Sequence, residues 1–286
     1  MRNVALLLFL GLIVALPAHA QTPPDTQPGL LGRIPQTIMR PWEHDLIVSV
    51  GFGGEILGSS VSEGFDFAVY NETASVQTSQ RYGGAFLFGV GAGWRVWRNA
   101  LIGGTFTRVS GDARSAVTAV VPHPVDFGRT RTTAGSSDSL QHQESAFHLS
   151  AGWMVPVRDD IDIGLSAGPS FYFVSHEFVG ALTPDNLDEN DPPDFETVSI
   201  RSLQPREESD WTVGYHVGLD GTYRLPWSLP GFTELGANGF VRWATASVTL
   251  DAVSGPRKVR AGGVQGGLGI RMTFDDLGFP RIPLPW

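Results

Sequence analysis

His148 and Ser150 stand two residues apart, and their types and spacing could support nucleophilic catalysis. A histidine can activate a serine hydroxyl, and a carboxylate such as that of Asp162 could orient the histidine. However, a hairpin that turns at residues 158–160 pairs Ser150 with a residue near Gly168. At about 3.3 Å per residue, Asp162 then lies roughly 20 Å from that serine. No catalytic residue is therefore expected, and His148 is predicted to point into the interior of the fold.

The segment Phe147-His148-Leu149-Ser150 resembles the His-x-Ser of lipid A 3-O-deacylases. That resemblance implies an outer-membrane enzyme that modifies lipid A. Because Asp162 is out of reach, the enzyme remains an alternative and a role without catalysis is favoured.

An acidic stretch, residues 185–196, carries six carboxylates that could bind a divalent cation through oxygen ligands. Its spacing matches no defined calcium loop, and Pro192-Pro193 restricts its backbone. We predict a solvated loop and no metal site or cofactor, and we leave divalent-cation binding by this loop open.

The beginning of the chain has the pattern of an export signal. Arg2 precedes an apolar run over residues 4–16, and Ala18-His19-Ala20 forms a small-x-small cleavage site. Residues 1–20 are predicted to be a signal peptide, and the proline-rich residues 21–44 a periplasmic leader.

Composition excludes several classes of protein. The chain has no cysteine, so disulfides and thiolate metal sites are excluded. A net charge of −9 argues against a nucleic-acid partner. After the signal, no run of 18 apolar residues predicts a spanning helix, so a membrane location requires a closed barrel.

Strict alternation of apolar residues with glycine or polar residues predicts β-strands. The last of these segments, residues 264–274, places Val264, Leu268, Ile270, Met272 and Phe274 on one face. Eight such segments occur, near 46–53, 86–96, 101–109, 147–155, 161–173, 211–224, 235–243 and 264–274.

The connections between these segments alternate in length. Those near residues 97–99, 158–160 and 226–231 are short, whereas those near 54–80, 110–143, 175–209 and 251–260 are mostly long and polar. Short turns on one side and long loops on the other are typical of outer-membrane barrels. The predicted fold is all-β, an eight-stranded antiparallel up-and-down transmembrane β-barrel with short periplasmic turns and long extracellular loops.

Charged and polar side chains share the phase of the glycines. On the lipid side each cation would cost about 2–4 kcal/mol at the membrane midplane, whereas in a narrow lumen charges can pair. The residues predicted to form a lumen-facing network are Arg95, His148, Asp162, His216, Asp220, Arg224, Glu234, Arg242 and Arg271.

The export signal, the eight segments and the final strand resemble bacterial outer-membrane β-barrel proteins of the small eight-stranded OmpA/OmpX type. The final strand looks like the signal that the barrel-assembly machinery reads, which here comprises Gly269, Met272 and Phe274. The barrel is predicted over residues 45–274. Residues 275–286, a periplasmic tail, depart from the family pattern, in which that signal ends the chain.

The predicted function is that of an outer-membrane scaffold that presents surface loops, especially 111–143 and 175–208, to an extracellular partner of unknown identity. The resemblance implies contact with outer-membrane lipid, with lipopolysaccharide and with the barrel-assembly machinery. A narrow porin-like channel for small solutes is the main alternative, and a secreted soluble β-barrel is another.

Overall fold

The computed structural model describes residues 41–55, 59–82, 84–185, 195–226 and 233–275. The predicted signal peptide, the leader up to residue 40, most of the acidic stretch and the tail from residue 276 lie outside these residues. No helix in the described ranges is long and apolar enough to cross a membrane. The strands are β1 (Leu46–Glu55), β2 (Ser59–Val69), β3 (Glu72–Tyr82), β4 (Phe86–Trp97), β5 (Ala100–Pro122), β6 (Thr130–Pro156), β7 (Ile161–Asp185), β8 (Ser199–Arg224), β9 (Glu234–Ala252) and β10 (Gly255–Phe274).

Eight of these strands form a ring in the order β1-β4-β5-β6-β7-β8-β9-β10, and every pairing is antiparallel. The first and last strands complete the ring, because Leu46 pairs with Phe274 and Glu55 with Gln265. The predicted fold class, all-β and antiparallel with eight strands in the ring, is confirmed.

The lower part of the ring, which we call the belt, carries its apolar side chains on the outside. It comprises residues 46–54, 86–97, 100–109, 145–156, 161–173, 211–224, 234–244 and 264–274 of the ring strands. On its outer face, Trp211 and Leu268 are each 68% exposed, whereas Arg271 on the inner face is 7% exposed. Because successive side chains of a strand point to opposite faces, the glycine and polar residues that alternate with these apolar residues point into the lumen.

The prediction of long loops was wrong over most of their length. The strands β5 to β8 continue far above the belt, and residues 59–82 form the hairpin β2–β3, whose second strand pairs with β5. At about 3.3 Å per residue, the 25 residues of β7 extend about 80 Å, although a membrane needs only about 9–11 residues of a tilted strand. These upper strands, which we call the head, comprise β2, β3 and residues 110–122, 130–144, 174–185, 199–210, 245–252 and 255–263.

The head buries its apolar side chains inside and exposes polar ones, as a water-soluble protein does. Phe178, with no exposed surface, lies in this core. The other buried side chains of the cluster, some of them at the top of the belt, are Val61, Phe65, Val76, Ala113, Val117, Ala119, Val121, Leu140, Ala146, Tyr172, Val174, Val179, Leu182, Ala244, Ala246, Val248, Leu250, Ala252, Val259 and Ala261. This core covers the upper end of the lumen.

Strand pairing within the head is incomplete. The pairing of β6 with β7 extends upward only to His142 and His176, and that of β8 with β9 only to Tyr215 and Thr245. Three groups of strands, β2-β3-β5-β6, β7-β8 and β9-β10, therefore rise from one ring and are held together by the apolar core.

Candidate functional site

Ion pairs between side chains of neighbouring strands line the lumen of the belt. Two guanidinium nitrogens of Arg224 donate to Asp162 at 3.0 and 2.9 Å, and Arg224 also lies 3.3 Å from Glu234. Arg271 lies 2.5 Å from Asp220 and donates a hydrogen bond of 2.7 Å to Thr222. These contacts join β7, β8, β9 and β10 through side chains as well as through the backbone.

A glycine provides the room that the Asp220 carboxylate needs. If Gly164 carried a Cβ atom, that atom would lie 2.5 Å from Asp220 Oδ2. The glycines that alternate with apolar residues thus have a packing role at this level of the lumen.

The two lumen histidines take part in a chain of hydrogen bonds. His148 Nδ1 lies 2.8 Å from Ser170 Oγ, which lies 2.9 Å from His216 Nδ1, and His216 Nε2 lies 3.0 Å from Ser150 Oγ. Thr107 contacts the other nitrogen of His148 at 3.0 Å. Ser150 thus hydrogen-bonds with His216 rather than with His148.

Asp162 pairs with Arg224 and takes no part in that chain. The structure therefore does not bring His148, Ser150 and Asp162 together. The sequence analysis missed Ser170, although its position in the inward phase of β7 gives the signal that would have found it.

Another predicted lumen arginine, Arg242, lines a cavity of about 140 Å³. Its Nη1 atom is buried without a hydrogen-bond partner, and its guanidinium carbon lies 5.9 Å from the centre of the Phe240 ring. The only other charged side chains that line this cavity, among the described residues, are Asp220 and Arg271.

The lower end of the lumen is covered by the segment that precedes β1. Trp42 is 1% exposed and packs against Leu101 and Met154. Arg95 donates to the carbonyl oxygen of Trp42 and lies 2.5 Å from Asp45. The predicted leader therefore contributes at least its last residues to the closed end of the ring.

A hydrogen-bonded relay, which we call the neck, lies within the apolar cluster at the base of the head. Gln80 contacts His176 at 2.7 Å, His176 contacts His142 at 3.1 Å, and His142 contacts Glu144 at 2.8 Å. Glu144 then accepts a hydrogen bond of 2.8 Å from the backbone N–H of Gly262. Burial, with a smaller contribution from His142, lowers the pKa of His176 to about 3, so this histidine is neutral.

The head also contains a buried carboxyl group, that of Glu63. It lies between Val61 and Phe65 on the inner phase of β2, and neither of its oxygens has a hydrogen-bond partner. Burial raises the pKa of Glu63 to about 6, and the positive charge of Arg257 opposes part of that rise.

The connection between β5 and β6 forms a tip that presents apolar side chains to solvent. Phe127 is 87% exposed and Val125 is also exposed. The backbone N–H of Gly128 donates to Glu72 at 2.8 Å, and Arg129 donates to Glu196 at 2.6 and 2.7 Å. Contacts with the first residue of β3 and with the connection between β7 and β8 thus hold the backbone beside Phe127.

The residues of the predicted assembly signal lie where the ring closes. Phe274 pairs with Leu46, Met272 with Val48 and Gly269 with Gly51. Met272 and Phe274 are half-buried and continue the outward phase of Leu268 and Ile270.

Within the described ranges, no group of three or more histidine or acidic side chains could hold a metal ion. No protein-family model matches the chain, and neither does any curated protein.

Three solved structures illustrate what the chain is similar to. Neisserial surface protein A is 12% identical over 80% of this chain and 97% of that chain, with a TM-score of 0.39. The outer membrane protein OprG from Pseudomonas aeruginosa is 8% identical over 82% and 97%, with a TM-score of 0.39. The outer membrane protease OmpT from Escherichia coli is 10% identical over 80% and 97%, with a TM-score of 0.40. At these values the likenesses carry no argument about what this chain does.

Proposed function

We propose that the chain is an integral protein of the bacterial outer membrane, whose belt contacts lipid and lipopolysaccharide and whose head projects from the cell surface. The observation that carries this proposal is the outer face of the belt, which is apolar except near its upper edge, where Arg108 and Ser145 lie, and which surrounds a charged interior. In water such a face would be a large exposed apolar patch, whereas in lipid it is the stable arrangement. The outer face becomes polar where the head begins.

The protein acts as a scaffold, and its lumen is closed. Side-chain ion pairs line the lumen, the Trp42 segment covers one end and the apolar core of the head covers the other. Eight strands leave an interior that side chains can fill, which fits this arrangement. A channel would require the Trp42 segment and the core of the head to move away from the two ends of the lumen.

The tip at Phe127 is the part of the head that best fits contact with a protein partner. An exposed aromatic side chain on a fixed backbone loses little conformational freedom on binding, and aromatic residues are common anchors at interfaces.

Chemical labelling of whole cells tests the location and orientation together. Because the chain has no cysteine, single substitutions Phe127→Cys in the tip and Arg158→Cys in a short turn give matched probes. A membrane-impermeant maleimide should label Phe127→Cys in intact cells and Arg158→Cys only after the outer membrane is permeabilised. Labelling of Arg158→Cys alone in intact cells would contradict the proposal.

Planar-bilayer recording tests the closed lumen. The purified protein should insert without producing stable conductance steps. Reproducible steps in the wild-type protein would favour the channel instead.

The role without catalysis has its own test. Lipid A from cells that produce His148→Ala or Ser150→Ala should match lipid A from cells that produce the wild-type protein. A change in acylation that depends on either residue would support the lipid-modifying enzyme.

Assembly through Phe274 also belongs to this proposal. Deletion of Phe274 should lower the amount of heat-modifiable protein in the outer membrane, because the machinery would lose the terminal aromatic residue of its signal. Deletion of Phe127 in the tip is the matched control and should leave that amount unchanged.

A further inference from the structure

One arginine in the lumen lacks the negative partner that each of the others has. Arg95 lies beside Asp45, Arg224 beside Asp162 and Glu234, and Arg271 beside Asp220. Arg242 forms no salt bridge with any described residue, and its Nη1 atom makes no hydrogen bond.

The cavity beside Arg242 has an uncompensated positive charge. Its lining contains two arginines, Arg242 and Arg271, and only one carboxylate, Asp220. That carboxylate already lies 2.5 Å from Arg271. Arg242 remains within electrostatic range of Asp220 but has no acceptor of its own.

A buried charge without a counter-charge is costly, particularly inside a ring that has apolar side chains on its outside. Water can accept a hydrogen bond from a guanidinium but does not neutralise it. An anion does both, and guanidinium groups bind anions through hydrogen bonds that their charge strengthens.

The cavity can accommodate a small anion. Its volume of about 140 Å³ has room for an ion with several waters. The lining supplies the hydroxyl groups of Thr105 and Ser166, which can donate further hydrogen bonds to such an ion.

We propose that the lumen contains a binding site for one small monovalent anion, of the size of chloride or formate, held by Arg242. The ion supplies the missing negative charge, so its binding stabilises the folded ring. This site goes beyond the scaffold role and does not depend on what the head binds.

Thermal unfolding of the full-length protein in detergent tests the site. At equal ionic strength, the midpoint should be higher in sodium chloride or sodium formate than in sodium gluconate, whose six-carbon anion is too large for the cavity. At about ten times Kd the rise should be about 2–5 °C, and it should saturate with concentration.

Arg242→Gln should abolish the difference between chloride and gluconate. Arg201→Gln, which removes an exposed arginine of the head, is the matched control and should retain it. Equal midpoints of the wild-type protein in the two salts, or an undiminished difference in Arg242→Gln, would overturn the proposal.

Bromide provides a second measurement that does not require a variant to fold. Crystals of the wild-type protein grown in bromide should show an anomalous peak beside Arg242 Nη1. An empty cavity under those conditions would also overturn the proposal.

Discussion

Strand β7 passes through both the belt and the head, and its two halves bury opposite kinds of side chain. In the belt its outer positions include Ile163, Leu165 and Phe171, and its inner positions include Asp162 and Ser170. In the head the outer positions include Ser175 and Glu177, and the inner ones include Val174 and Phe178.

The backbone alternation does not change between these halves, but the chemistry of each face does. The geometry of the ring determines which face of a strand points inward. The medium outside the ring then determines which of the two faces carries the apolar side chains. The neck lies near the base of the head, where Val174 and Phe178 of the apolar cluster flank His176, and its relay gives most of its buried polar groups hydrogen-bond partners.

The largest expected difference between head and belt comes from two phenylalanines of β7. Phe178→Ala removes a fully buried side chain of the head core and should lower the free energy of unfolding by about 3–5 kcal/mol. Phe171→Ala, on the outer face of the belt, should cost much less because no packed protein core loses contacts there. Denaturant unfolding in detergent measures both, and equal losses would contradict the assignment of the two faces.

A positive charge should affect the two outer faces differently. Val217→Arg on the belt should cost about 2–4 kcal/mol in a bilayer, whereas Ser247→Arg on the head should stay within about 0.5 kcal/mol. Unfolding and refolding in lipid vesicles gives both values. A harmless Val217→Arg would mean that the belt does not face lipid.

Glu63→Gln should stabilise the head at neutral pH by about 2 kcal/mol, since burial raises the pKa of Glu63 from 4.5 to about 6. The folded protein holds this proton more tightly than the unfolded chain does. Stability is therefore lost as pH rises from 4.5 through 6, and the amide avoids that loss. Asp251→Asn, at an exposed carboxylate of the head, is the control, and an equal gain there would refute the explanation.

The smallest expected effect concerns His176. Its pKa falls from 6.5 to about 3 on folding, so the unfolded chain binds more protons throughout that interval. Stability is therefore full above pH 6.5 and falls as the pH decreases, by about 1 kcal/mol between pH 6.5 and about pH 5.5. His176→Gln should reduce this slope, which unfolding curves at the two pH values would measure.

The sequence predicted the ring because a lipid-facing strand has large apolar residues at every second position, such as Phe147, Leu165, Val217 and Leu268. The head was missed because its alternation is weaker. Several inward residues of upper β5, such as Ala113, Ser115 and Ala119, are small, and its outward residues mix polar Arg114 and Thr118 with apolar Ala116 and Val120. A single chain segment of that kind has the composition of a loop.

The candidate sites divide in a similar way. The alternation within each strand was enough to predict that Arg224, Asp220 and Arg271 point inward. The neck could not be predicted in this way, because Gln80, His142 and Gly262 come from segments far apart in sequence and meet only when the register of four strands is fixed. The missing partner of Arg242 is likewise a property of the assembled ring.

The reversal along β7 can be measured directly, since the chain has no cysteine and single spin labels can be placed at Leu165, Phe171, Ser175 and Glu177. In lipid vesicles, the first two labels should be accessible to oxygen, which partitions into the bilayer, and the last two to a water-soluble nickel chelate. A label at Leu165 that is accessible to nickel, or one at Glu177 that is accessible only to oxygen, would contradict the account.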